Sequence, residues 1–175
     1  MKEIDIRPIA DGDFDAVWSI FQEILASGDK YPFDDASREA CRNYWYGAGV
    51  KTWVAVLNGE RLLGMYRLVA NQADRGAHVA SASYMVSPAA QGVGVGRLLG
   101  NHSLEQARLD GYLAMQFNYV VSTNVAAVVL WEAARLCHCR HPAQGLPPPE
   151  ARLRGRVRDV PPAGRPEQLA AVSPC

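Results

Sequence analysis

No stretch of this chain is long and apolar enough to cross a bilayer as a helix, and neither sign of charge is in excess. Lys and Arg number 18 against 18 Asp and Glu, so no global field favours a nucleic-acid backbone or an anionic membrane surface. Any anion must be held by local geometry. Cysteine is scarce as well: four in all, with Cys41 alone in the patterned part of the chain, which excludes a disulfide framework. The N-terminal residues Met1 to Arg7 mix charges among apolar side chains and form no apolar leader. A cytoplasmic location is expected.

The 175 residues suffice for one α/β domain with a real core and fall short of two ordinary ones. Ile4 to Ile9 alternates as a half-buried strand, and Asp11 or Asp13 is placed to cap the helix whose stripe is Phe14, Val17, Phe21 and Ile24. After an aromatic loop at Tyr31-Pro32-Phe33, Asp34 or Asp35 is expected to cap a second helix ending near Tyr46. Trp53 to Leu57, Asn58-Gly59, then Leu62 to Val69 predicts an antiparallel hairpin, because Asn-Gly supplies the positive φ angles of a tight turn. Val79 to Val86 reads as the next strand, closed by Pro88. Beyond a glycine-rich turn, Val95, Leu98, Leu99, His102 and Leu109 predict a helix ended by Gly111, then a strand over Leu113 to Val121 and a last helix capped within Ser122-Thr123-Asn124.

The turn Gln91-Gly92-Val93-Gly94-Val95-Gly96, between a strand and a helix, presents backbone N–H groups at the positive end of a helix dipole, as a pyrophosphate requires. The dinucleotide spacing G-x-G-x-x-G fails, because Gly92 and Gly94 are followed by Arg97, and Gly94 and Gly96 by Leu99. The P-loop fails for want of its Gly-Lys-Ser/Thr ending. What remains is Gln91-x-x-Gly94-x-Gly96 after Val86-Ser87-Pro88, and at these residues the sequence resembles the GCN5-related N-acetyltransferase (GNAT) superfamily. The likeness extends over the order of elements from Ile4 to about Glu132.

That resemblance implies an α/β (α+β) fold: a mixed, mostly antiparallel central sheet with helices on both faces and a splayed strand pair holding acetyl-CoA. It implies that Gln91, Gly92, Val93, Gly94, Val95, Gly96 and Arg97 bind acetyl-CoA, with Met85 and Val86 contributing through main chain. The family often carries a Glu or Asp as general base one residue after the position of Ala82, and this chain has Ser83. An alkylamine near pKa ~10.4 must still lose a proton, by way of Ser83 and water or a nearby His78, Asp29 or Glu39. Asn-x-x-Ala-x-x-Leu-Tyr of the family is matched by Asn124, Ala127 and Leu130, with Trp131 in place of the tyrosine acid. Indole donates a hydrogen bond and surrenders no proton at useful pH, and Trp131 reads equally well as a core aromatic. Tyr31 and Phe33, with Trp45 and Tyr46, lie where relatives build the acceptor pocket, and pack under the loop on the competing reading.

From Ala133 the chemistry changes. Residues 133–175 hold eight of the 11 prolines and three of the four cysteines, and no Phe, Trp, Tyr or Ile. No strand pattern is legible there, and Cys137-His138-Cys139-Arg140-His141 has a spacing that fits no usual zinc module. Ala133 to Arg158 can be encoded so that the frame displaced by one base spells Gly-Phe-Val-Thr-Val-Gly-Thr-Leu-Pro-Lys-Ala-Phe-Arg-His-Pro, then Gly-Tyr-Val-Asp-Val-Tyr-Val-Met. The expected organisation is therefore an acetyltransferase domain over residues 1–132 and an anomalous tail over 133–175, a frameshifted version of the last two strands. The expected activity is acetyl transfer from acetyl-CoA, without metal, to a primary amine of a small molecule. The alternatives are a peptide or protein N-acetyltransferase and a non-catalytic acyl-CoA-binding module. A homodimer is left open.

Overall fold

The computed structural model describes residues 3–26, 37–117, 120, 124–133 and 170–172. Six strands form one sheet in the order β1 (Ile4–Pro8), β2 (Lys51–Leu57), β3 (Arg61–Ala70), β4 (Val79–Val86), β5 (Ala114–Gln116) and β6 (Ala170–Val172). Four helices join them: α1 (Phe14–Ala26), α2 (Arg38–Tyr46), α3 (Val95–Leu109) and α4 (Val125–Ala133). Contacts divide the chain into two compact units, Met1–Val69 with Ala82–Ser103, and Ala70–Ser81 with Leu104–Cys175.

In the first unit β1 and β2 run antiparallel, as do β2 and β3, with a bulge at Ala55/Val56. Asn58 (φ 51°) and Gly59 (φ 77°) make the turn that their residue types demand. The Ser87 N–H donates to the Leu63 carbonyl at 2.9 Å, which sets β4 antiparallel beside β3. Phe14, Val17, Ile20, Phe21 and Ile24 of α1 pack with Cys41 and Trp45 of α2 against Val54, Val56, Met65 and Met85 of the strands. The cap of α2 is Ser37, whose Oγ accepts the Ala40 N–H at 3.1 Å, in place of the expected Asp34 or Asp35, which lie outside the described residues. Trp45 is fully buried and packs in this core. On the other face Tyr66 and Tyr84 meet α3 through His102 and Ser103. The buried line of α3 includes Val95, Leu99, Ser103 and Ala107, whereas Leu98 and Leu109 are 43% and 72% exposed. Ser103 belongs in this apolar line because its hydroxyl is satisfied, bonding the Gly100 carbonyl and the Tyr84 hydroxyl, each at 2.7 Å.

The N-cap position falls on Ala10, and Asp13 caps from inside the turn by accepting the Ala10 N–H. Its carboxylate receives both terminal nitrogens of Arg7, at 2.7 and 2.8 Å, and the Ala10 N–H at 2.8 Å. The Arg7 hydrogen bonds hold the Asp13 carboxyl below its ordinary pKa. Asp13→Asn is expected to reduce stability by about 1–2 kcal/mol at neutral pH. Because the folded value is depressed, that advantage is present above the unfolded carboxylate range and disappears as pH falls through the folded value. Denaturation curves of the two proteins should converge in acid.

In the second unit the Asn71 N–H donates to the Val79 carbonyl at 2.8 Å, and α3 ends with Gly111 (φ 82°), whose N–H meets the Arg108 carbonyl while that of Tyr112 meets Ala107. Among the described residues the parallel pairing of β4 with β5 comprises Val79↔Ala114 and Ala80↔Met115, at the start of β4. Of the strand expected over Leu113 to Val121, Ala114–Gln116 is assigned, while residues 118, 119 and 121 lie outside the described residues. The tail yields one strand where none was legible: Ala170–Val172 runs parallel to β5. Backbone pairing with a sheet edge asks no alternation of side chains, only a short segment free of proline.

Candidate acetyl-donor and acceptor site

The glycine-rich turn lies wholly within the first unit, between a short turn at Pro88–Ala90 and the first turn of α3. Gly92 and Gly94 take φ of 78° and 89°, in the left-handed region that side chains other than glycine adopt at a penalty. Gln91, Gly92, Val93, Gly94 and Arg97 are exposed, Gly96 is half-buried, and Val95 anchors the helix in the core. The Leu98 N–H reaches the Gly94 carbonyl at 3.1 Å, so the helix ladder begins at the turn. The first turn of α3 carries no acidic residue, and its orphan N–H groups and dipole suit an anion. Met85 is buried beneath this end of β4 and Val86 is half-buried; such side chains report packing and leave any ligand contact to the backbone.

Ser83, at the position where a carboxylate was sought, accepts a hydrogen bond from the Tyr44 hydroxyl at 2.7 Å. Tyr44 in turn lies under Arg67, whose guanidinium carbon stands 3.9 Å from the ring centroid and whose Nη1 donates to the Tyr44 carbonyl at 2.8 Å. Burial raises the Tyr44 pKa against the opposing pull of Ser83 and Arg67, so Tyr44 stays protonated at neutral pH and is no base. Tyr44 and Arg67 escaped the sequence reading. For Arg67 the signal was strand parity, since it shares the face of the fully buried Met65 two residues earlier; for Tyr44 there was none.

Asn124 and Trp131 belong to the second unit. The Asn124 Oδ1 accepts the Ala127 N–H at 3.2 Å and so caps α4. Trp131 is 6% exposed with its ring 4.5 Å from that of Phe117, a packing environment. His78, half-buried, bonds the Arg75 carbonyl through Nδ1 at 2.9 Å, and Glu39 is exposed on α2. Tyr46 donates to the Ala10 carbonyl at 3.2 Å. Tyr31, Phe33 and Asp29 lie outside the described residues, as does the cluster at Cys137 to His141. Among the described residues no group of three or more His, Cys, Asp or Glu is arranged to hold a metal, and no helix is long and apolar enough to cross a membrane.

Three comparisons bear on this geometry. The profile described as the acetyltransferase (GNAT) family matches residues 14–135. The N-acetyltransferase aca1 of Schizosaccharomyces pombe is 35% identical over 71 residues, 41% of this chain and 34% of that protein, so the match spans about a third of the relative's length. A GCN5-related N-acetyltransferase from Kribbella flavida superposes with TM-score 0.71 at 39% identity, over 75% of this chain and 80% of its own. The yncA protein of Salmonella typhimurium, a putative acetyltransferase solved with its cofactor acetyl-CoA, superposes with TM-score 0.67 at 25% identity, over 75% of this chain and 78% of its own.

Proposed function

The chain belongs to the acetyltransferase (GNAT) family, an acetyl-CoA-dependent class, and from that premise we propose an N-acetyltransferase acting by direct attack of a small molecule's primary amine on acetyl-CoA. The observation that carries the reading is the exposed turn at the start of α3, with its two positive-φ glycines and no acidic neighbour in the first helical turn. Gln91 to Arg97 would take the pyrophosphate, and main-chain groups at Met85 and Val86 the pantetheine and the thioester carbonyl. Tyr31 and Phe33 would face the acceptor, and Ser83 would orient the amine or a water beside it. With Trp131 packed on Phe117, the leaving group departs as a thiolate, tolerable for a thiol titrating near ~8.5. A cytoplasmic location and independence from metal belong to the same proposal.

The test is thiol release from acetyl-CoA across a panel of small amines. Release is expected only with an amine present, one acetylated amine per thiol. Stabilisation by acetyl-CoA without turnover on any amine would indicate a binding module, and transfer to peptides alone would move the acceptor to that class.

The domain boundary is proposed on the same footing: an acetyltransferase domain over 1–132, followed by a tail whose displaced-frame reading supplies the last two strands. Supporting it, the family match stops at residue 135, within three residues of where composition changes.

A further inference from the structure

Among the described residues no carboxylate pairs with Arg67. The Thr52↔Arg67 register places Thr52 beside it on β2, and that hydroxyl donates to the Trp45 carbonyl. On the other side, the hydrogen bonds Ser87 to Leu63 and Asn71 to Val79 fix a β3–β4 register in which Arg67 stands directly opposite Ser83. Side chains so paired have Cβ atoms about 5 Å apart. Tyr44 ties the two together, bonding Ser83 with its hydroxyl and Arg67 with its ring and carbonyl. The Arg67 Nε is buried with no hydrogen-bond partner, and no ion pair engages Arg67 among the described residues. Among the described residues the one carboxylate that α2 carries, Glu39, is exposed. From α2 come Tyr44 and Cys41, whose thiol burial pushes up to about 11, and from β2 comes Lys51. On α1, Asp15 is paired with Arg38 and Glu23 is exposed; Arg42 of α2 is paired with Asp11.

We infer that Arg67 is a positioning and electrostatic residue that favours the neutral, nucleophilic form of an amine bound at Ser83, where this chain carries no carboxylate. The inference rests on the acetyl-transfer reading and on the acceptor lying at Ser83. A like charge disfavours a neighbouring ammonium, and a partly desolvated guanidinium several ångströms away lowers an amine's titration point by about one to two pH units. The ammonium releases its first proton to solvent. The freed lone pair attacks the thioester carbon, the carbon–sulfur bond breaks with its electrons on sulfur, and the second amine proton goes to solvent or to the departing thiolate. The sum is ammonium plus thioester giving amide, thiol and one proton.

Two measurements decide it. The first needs no turnover: in a Ser83→Cys background, the new thiol's ionisation is followed by alkylation rate against pH, relative to the parent with its own four cysteines. Arg67→Gln should raise its titration point by about one to two units, and an unmoved curve overturns the inference. The second is the single-turnover acetylation rate at saturating amine, which reports groups in the bound complex. Arg67→Gln and Arg67→Met should move its rising limb upward by the same interval, lower the rate at pH 7 about tenfold or more, and leave the amine's KM equal or smaller. Arg67→Lys should keep the wild-type limb. A raised KM with an unmoved limb would make Arg67 an anchor for an anionic group of the acceptor, and equal loss in Lys and Gln variants would make its stacking on Tyr44 structural; either result overturns the inference. If the wild-type protein acetylates no amine, the functional reading fails by itself, while the thiol titration still decides the field at Ser83.

Discussion

Gly94→Val is expected to weaken acetyl-CoA binding about 100-fold with the fold intact, measured by calorimetric titration against the parent protein. The backbone at Gly94 stands at φ 89° with nothing within 4 Å of where a Cβ would sit, so the obstacle is conformation and not space. A β-branched residue at such an angle is strained by about 2–3 kcal/mol. The exposed turn escapes that strain by rotating, which re-aims the N–H groups that Gly92 to Gly96 present. Binding must then restore the strained form, and the strain appears as lost affinity, about 2.7 kcal/mol for a factor of 100. Gly49 supplies the control: it has φ 76°, equally open surroundings and a place between α2 and β2. Gly49→Val should leave acetyl-CoA affinity alone, whatever strain it adds to the loop. Equal affinity losses at both positions would remove the turn from the binding site. The parent's affinity should also fall as salt rises if, as proposed, the exposed helix terminus and the exposed Arg97 take the anion.

What the sequence disclosed is what the backbone alone dictates. Asn58-Gly59, Gly94 and Gly111 mark turns by requiring positive φ, and the structure places them at 51° and 77°, 89° and 82°. The likeness to the acetyltransferase family was carried by the same backbone-determined residues. What escaped was decided by partners far away in sequence. Ser103 reads as a surface residue until Tyr84 is found to satisfy it, and Leu98 reads as core although α3 turns it outward. Trp45 looked suited to a pocket wall, but hydrophobic transfer put so large an apolar surface into the core between α1 and the sheet. The cluster proposed for the acceptor was hardest: Arg67, Tyr44 and Ser83 come from β3, α2 and β4, and no local spacing announces a meeting of three elements.

Replacing residues 133–158 with the displaced-frame sequence should raise Tm by roughly 6–20 °C and increase acetyl transfer several-fold. The present tail is rich in proline and arginine and offers β5 the backbone of Ala170–Val172 alone among the described residues. The displaced frame offers Val-Thr-Val and Tyr-Val-Asp-Val-Tyr-Val, which alternate as half-buried strands do. If three or four of those apolar side chains become buried, each contributes about 1.5–3 kcal/mol before the entropy of ordering the segment is subtracted. A net gain of about 3–5 kcal/mol corresponds to a rise of roughly 6–20 °C for a domain of this size. A sheet edge closed in this way also holds β5 in place beside the start of β4, where Val79↔Ala114 and Ala80↔Met115 make their parallel pairing. The gain in rate should therefore accompany the gain in stability. Thermal denaturation and the amine-dependent thiol assay on the two proteins measure both, and an unchanged or lower Tm would refute the displaced-frame reading. Peptide mapping of protein expressed from the native gene closes the question independently: tryptic peptides covering Leu136 to Arg152 as written would fix the present tail as the true one.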